Sequence, residues 1–591
     1  MSASLGFDSD SLHREVITRY INSIMLLVQN TNFWPEICHH LMQTVFRKYK
    51  KVLSIRTDCS LTGSINNMKE QLVIIGIDSM DRELLYRYLD VLPNFSQLIE
   101  DNADIELSSV FPPDSDTAWA SIYTGLNPAK HGIVNFVDPL EKQALYETDY
   151  LDNSSIKGKT FWDALSRADK SVCLVYPHVA YPVWKVNGFM IAPKPKSDEF
   201  QMYPADFPFD FEFDKLEVPK RIPNTKAEYK TFLKSFEAIV INEFDFARKM
   251  HEGYSWDLFF FYSSALDFIQ HIFWNYCDPQ DPTYPKGKNP YGNVIKDFYV
   301  LHDRLIGDFM RAIDRNTILL VLSDHGHSMR PVNLFNINEF LRRDGLLAAK
   351  ETKAIPLRTI SEKAKRTAVD VVQRVGLRGI ALTLLRKSPR LKRMYTIPST
   401  IDYEKTIACS SDLSGMKSYT YGGINVYRER LPDEEAYMAT RRHIIDRLSK
   451  LTMPDSQQEM FEWISCREEL YEGPHINKYP DILFKLQEGY GAGWGINLPL
   501  FSKTPAHSLF PGSHRRETPV LFFWNLGDRK PLRRTATLMD IAPTILDIFG
   551  FDVGGVDGMS LFCDRAWVPS DREYLNHDTQ ECKVGWNRRA L

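Results

Sequence analysis

The chain has 591 residues, 43% of them hydrophobic and 25% charged, and a formal net charge of −4. Such proportions are ordinary for a soluble globular protein with a large core and more than one lobe, and they give no general drive toward nucleic acid. No stretch has the length and apolarity of a membrane span; INSIMLLVQ at 21–29 is short, and Asp8, Asp10 and Glu15 before it argue against a secretory signal. Eight cysteines stand far apart with no CxxC, which reads as reduced thiols in a cytoplasmic protein, disulfides being the lesser alternative.

Residues 1–70 carry helix-period apolar positions and predict a helical N-terminal extension. QLVIIGIDSM at 71–80 is a strand ending in Gly76, Asp78 and Ser79, and DRELLYRYLDVLPNFSQLIE has leucines and aromatics at helical spacing. VFPPDSDTAWASIYTGLNPAKHG at 110–132 is a turn leading into a short apolar helix, and 160–178 is helix then strand. Helix over 230–250, strand, loop and helix over 256–274, helix over 294–313 and the strand ILLVL at 318–322 complete a βα alternation. The fold class expected is α/β, a largely parallel central sheet flanked by helices. After about 335 the pattern loosens. Residues 351–395 hold twelve Lys/Arg against three Asp/Glu, read first as a solvated helical insertion and second as a contact for an anionic surface. Short strand-like pieces between 400 and 495 suggest a smaller lobe, and the α/β pattern returns with PVLFFWN at 519–525. The division predicted is 1–70 extension, 71–334 first catalytic part, 335–495 inserted cap-like lobe and 496–591 closing part and tail.

The chemistry collects at strand ends, where open α/β sheets place it. Asp324 and His325 follow the 318–322 strand directly, and Asp78 follows LVIIGI. Asp267 and His271 follow LFFFY at a spacing that puts both on one side of a helical turn, and His514 sits in the polar turn PGSHRRE. Three carboxylates and three imidazoles suit two divalent ions with positions left open, divided as Asp78, Asp324, His325 and Asp267, His271, His514. Ser115 and Thr117, in a turn before a short helix, are hydroxyls that either cap that helix or attack phosphorus beside its free N–H groups.

Together GIDSM at 76–80, DSDTAWASIYTGLNPAKHGI at 114–133, WDLFFFYSSALDFIQHIFW at 256–274, LSDHGH at 322–327, GSHR at 512–515 and DIAPTILDIFG at 540–550 resemble the alkaline phosphatase superfamily. The nearer likeness is to its phosphodiesterase/nucleotide pyrophosphatase branch and related bacterial phosphohydrolases, over roughly 75–591. The resemblance implies an alkaline-phosphatase-like fold and two divalent metals, usually zinc, with manganese or iron in some members. It implies Ser115 as nucleophile and metal-bound oxygen donor, with Thr117 as runner-up. It assigns Asp78, Asp324 and His325 to the metal that activates the nucleophile, and Asp267, His271 and His514 to the metal on the leaving-group side. His327 receives no ligand role. Nucleotide pyrophosphatases carry Asn three residues after the nucleophile; Ala118 stands there, so nucleotide diesters are less favoured substrates. The sulfatase signature is absent from SDTAW at 115–119. The activity expected is metal-dependent hydrolysis of a small phosphodiester through a phosphoseryl intermediate. Monoester hydrolysis or phosphoryl transfer at the same site, and a silent metal- or anion-binding module, are the alternatives.

Overall fold

The apolar runs read as buried strands pair into one seven-stranded sheet. The computed structural model describes residues 71–563 apart from 101–104, 135–152, 195–198, 351–400, 412–418 and short stretches at 210–225, 455, 505–509 and 552–553. The predicted extension over 1–70 and the basic segment at 351–395 lie outside the described residues. The sheet contains β1 (Gln71–Ile77), β2 (Val172–Val175), β3 (Gly188–Pro193), β4 (Phe200–Tyr203), β5 (Leu258–Ser263), β6 (Thr317–Leu322) and, after an antiparallel pair formed by β7 (Gly326–Met329) and β8 (Gly512–Arg515), β9 (Leu521–Trp524). Its order is β9-β6-β1-β5-β2-β3-β4. The five middle strands run parallel, while β9 and β4 close the edges antiparallel.

Both faces of the sheet are covered, so its strands read as near-continuous apolar runs rather than alternating ones. Val73, Ile75, Phe259, Phe261, Leu319 and Val321 pack on one face against α2 (Lys226–Gly253), α3 (Ala265–Cys277) and α4 (Val294–Ala312). Leu72, Ile74, Leu258, Phe260, Ile318 and Leu320 pack on the other, against α1 (Ser115–Thr124) and the helix Ile541–Ile548. The helical stretch expected over 81–100 is divided: Arg82–Arg87 is followed by a 3-10 turn at Leu89–Val91, and Pro93, whose ring cannot continue that turn, opens the helix Pro93–Glu100.

A second sheet, of four antiparallel strands in the order 408–411, 421–426, 482–486, 461–466, has its own core around Ile424, Ile444 and Phe484. Two tyrosines hold it to the loop before α1. Tyr479 Oη donates to the Phe111 carbonyl at 2.6 Å, and the Phe111 N–H donates to Tyr471 Oη at 2.9 Å.

Candidate active site

Register brings the candidate residues together. Gly76 of β1 lies opposite Tyr262 of β5 and Leu322 of β6, so the three neighbouring strands end within one residue of level, at Ile77, Ser263 and Leu322. Strands in a sheet are about 4.8 Å apart. Asp78, the turn into α3 and Asp324 therefore leave the sheet within side-chain reach of one another.

Asp78, Asp324 and His325 form the first cluster, all buried. His325 Nε2 lies 3.6 Å from Asp78 Oδ1 and 3.3 Å from Asp324 Oδ2. Ser79, at φ 63°, turns its N–H onto Asp324 Oδ1 at 3.1 Å, and Tyr262 Oη donates to Asp78 Oδ2 at 2.5 Å. Each carboxylate thus has one oxygen fixed and the other turned toward His325. Ser115 opens α1, whose N-cap is Asp114. Its hydroxyl lies 3.2 Å from His325 Nε2 and 3.4 Å from Asp78 Oδ1.

Asp267, His271 and His514 form the second cluster. Asp267 Oδ1 is 3.4 Å from His271 Nε2 and 3.5 Å from His514 Nε2, and the two Nε2 atoms are 3.0 Å apart. The clusters adjoin, since the His325 and His514 rings stack at 3.9 Å and Asp267, His325 and His514 also meet as a possible ligand set. His514 lies within strand β8, opposite His327, rather than in the polar turn expected. The short pairing of β8 with β7 holds it over the sheet edge.

The ring tautomers follow from the outer contacts. Nδ1 of His271 faces the Gly512 carbonyl at 3.0 Å, Nδ1 of His514 the Pro113 carbonyl at 2.9 Å, and Nδ1 of His325 the Gly326 carbonyl at 3.1 Å. A carbonyl only accepts, so each Nδ1 carries the proton and each Nε2 presents a lone pair. Two lone pairs 3.0 Å apart repel unless a cation lies between them. Asp267 Oδ1 and Asp324 Oδ2 are buried without a hydrogen-bond partner among the described residues. Burial, then Asp324 and Asp267, pushes Asp78 well above the usual carboxylate range, and burial brings Asp324 to about 7. Burial and the neighbouring His514 lower His325 to about 4. Asp267 is buried too, but His271 and His514, when they take up a second proton in the absence of an ion, hold its carboxyl well below the ordinary value. Buried carboxylates facing neutral imidazole nitrogens are a donor set that fits divalent cations.

All six residues expected as ligands, and Ser115, are therefore brought together. Thr117 is fully buried inside α1, with a hydroxyl that has no partner among the described residues. His327 borders the second cluster, its Nδ1 3.7 Å from Asp267 Oδ1, but that nitrogen meets Ser79 Oγ more closely, at 2.7 Å. Three supporting residues escape a reading of the sequence. Tyr262, Gln270, which donates to the Ser79 carbonyl at 2.7 Å, and His178 are linked to the site only through space. The one local signal was a tyrosine ending an otherwise phenylalanine-rich strand.

Residues 72–413 match the family "Type I phosphodiesterase / nucleotide pyrophosphatase". Among solved structures, an inactive form of murine ectonucleotide pyrophosphatase/phosphodiesterase 5 in complex with AMP is 14% identical, with 83% of this chain and 97% of that one covered and a TM-score of 0.45. Phosphonoacetate hydrolase from Sinorhizobium meliloti 1021 in complex with phosphonoformate is 14% identical, with 80% and 94% covered and a TM-score of 0.44. No curated protein matches the chain.

Proposed function

The chain belongs to the type I phosphodiesterase/nucleotide pyrophosphatase family, a family of phosphoester hydrolases, and from that premise we propose a two-metal phosphodiesterase that acts on a small substrate through a phosphoseryl intermediate. The observation that carries this reading is the seat of Ser115: a hydroxyl at a helix N-terminus, within 3.4 Å of Asp78 and 3.2 Å of His325. Asp78, Asp324 and His325 would hold one ion next to Ser115, and Asp267, His271 and His514 the other, zinc being the first choice and manganese or iron the next. Bound there, divalent ions lower the pKa of an attacking hydroxyl and neutralise a departing oxygen.

Ser115 Oγ attacks phosphorus in line, losing its proton to solvent. The bond from phosphorus to the leaving alkoxide breaks as the Oγ–P bond forms, and the alkoxide takes a proton from water. The first-turn N–H groups of α1 hold phosphoryl oxygens meanwhile. Water then attacks phosphoserine from the opposite side, returning the serine hydroxyl and releasing the phosphoryl product. Two inversions give net retention at phosphorus. The 335–495 lobe serves as a cap over the substrate, a reading supported by the Tyr419 ring lying 5.8 Å from that of His514.

The test is a hydrolysis screen on metal-reconstituted protein with aryl monoesters, aryl diesters, phosphonate esters and nucleotide diesters, with an alcohol acceptor added to detect transfer. Diesters are expected to turn over fastest. Ser115→Ala should abolish turnover and keep its metal; a fully active variant sinks the assignment. Loss on Thr117→Ala alone would move the nucleophile there.

A further inference from the structure

His178 lies outside both ligand clusters, yet the fold holds it beside the nucleophile. The loop after β2 carries it to the same sheet edge, and its Nε2 meets Asp116 Oδ1 at 2.8 Å. Asp116 is the residue after Ser115. The His178 N–H donates to Tyr123 Oη at 3.0 Å, so a second group on α1, the helix that Ser115 opens, fixes the backbone. The ring packs 5.4 Å from Tyr262, whose hydroxyl holds Asp78. On either side the backbone is forced into the left-handed region, at Tyr176 (φ 59°) and Val179 (φ 50°). For a β-branched valine this is a costly conformation, of the kind concentrated where a side chain must be aimed.

The other imidazole nitrogen is uncommitted. Nδ1 has no partner among the described residues, and the side chain keeps 29% of its surface exposed, whereas those of Asp78, Asp324 and His325 keep 3% or less. His178 is therefore partly open to solvent beside Asp116, the residue that follows Ser115. Burial opposes its charge, but the hydrogen bond and charge of Asp116, with Asp78 and Asp324 behind, raise its pKa to about 9. With Nε2–H given to Asp116, Nδ1 donates when the ring carries both protons.

We propose that His178, oriented by Asp116, is a phosphate-binding residue that donates from Nδ1 to a non-bridging phosphoryl oxygen of the group held at Ser115. The inference rests on Ser115 as the phosphoryl acceptor and adds a recognition element that uses none of the six candidate ligands. A charge-assisted donor suits an oxygen that neither receives the serine nor leaves with the alcohol. Monoesters and diesters share such an oxygen, so both depend on it.

Titration of metal-reconstituted full-length protein with inorganic phosphate, followed by calorimetry, tests this without turnover. Loss of one charged hydrogen bond predicts phosphate affinity about 10- to 100-fold weaker in His178→Ala, with metal content unchanged. Asp116→Asn keeps an acceptor for Nε2 but removes the charge, and should show a smaller loss. If His178→Ala fails to retain metal, His178→Gln decides: a neutral donor should give an intermediate affinity. Wild-type affinity in the metal-replete variants overturns the proposal, and so does a wild-type protein that binds no phosphate. A wild-type protein that binds phosphate but hydrolyses no ester refutes the hydrolase reading and still leaves His178 to be judged by titration.

Discussion

Two neighbouring histidines separate the proposed ligand from its support. His514 commits Nδ1 to the Pro113 carbonyl and presents Nε2 to Asp267, whereas His327 meets the Ser79 hydroxyl through Nδ1 and buries Nε2 without a partner among the described residues. Metal analysis should find one equivalent lost in His514→Ala and two kept in His327→Ala. The second variant should instead lose stability, by about 2–4 kcal/mol for a buried ring removed from a packed site; loss of metal from it would make His327 a ligand. Glu243 on α2 supplies a second residue-level test. Burial lifts its carboxyl to about 7 against the lowering effect of the Ser263 hydroxyl, which donates to it at 2.9 Å. A raised folded pKa means that its contribution is complete below the ordinary value of 4.5 and is lost as pH rises through about 7. Glu243→Gln should therefore match wild type in denaturant unfolding near pH 4.5 and exceed it by about 1–2 kcal/mol at pH 8. Equal stability at both would show the carboxylate to be well solvated.

The seat of Ser115 is set by how one helix lies on one strand. Asp114 caps α1 by accepting the Asp116 N–H at 3.3 Å, and Gly125, at φ 67°, ends it with an N–H on the Ser121 carbonyl. Between them Trp119 lies flat over Gly76, where an added Cβ would fall 2.4 Å from Trp119 Cη2. Gly76→Ala must push the indole, and with it α1, away from the sheet edge that carries Asp78. The expected result is folded protein weakened by about 1–3 kcal/mol, with a drop in kcat out of proportion to that loss. Unchanged kcat would mean that α1 tolerates displacement. Much of this level was legible in the sequence. Apolar runs such as 318–322 announced doubly covered strands, and donors immediately after them announced the sheet edge. The register that levels Gly76, Tyr262 and Leu322 was not legible, because strand pairing is a long-range choice without a local mark. Nor was the short β7–β8 pairing, since GSHR has the composition of a turn. Likewise, His178 and Asp116 are 62 positions apart and become partners only through space.

At the scale of the whole molecule, the site is a liability that bound cations would convert into stability. Asp78 and Asp324 are buried with folded pKa values raised, Asp324 to about 7, mainly by that burial. Their sign is that of Glu243: in apoprotein the stability they contribute is complete below their unfolded value and is lost as pH rises through their raised folded values, which for Asp324 is about 7. Asp267 has the opposite sign, since its depressed carboxyl stabilises above its unfolded value, but it stands alone against two. Divalent ions favour the ionised carboxylates and bind the folded state, adding about 2.7 kcal/mol per site at a free concentration one hundred times Kd. The gap in thermal midpoint between metal-loaded and chelated protein should therefore widen from pH 5 to pH 8. Asp78→Asn and Asp324→Asn, which keep the shape and remove the charge, should raise the midpoint of chelated protein at pH 8 and forfeit the gain from metal. A gap that stays constant with pH, or apoprotein weakened by both substitutions, would mean that these carboxylates serve the fold rather than an ion. The same substitutions should also abolish turnover, because stability recovered by neutralising the sheet edge is taken from the site that the sheet was built to hold.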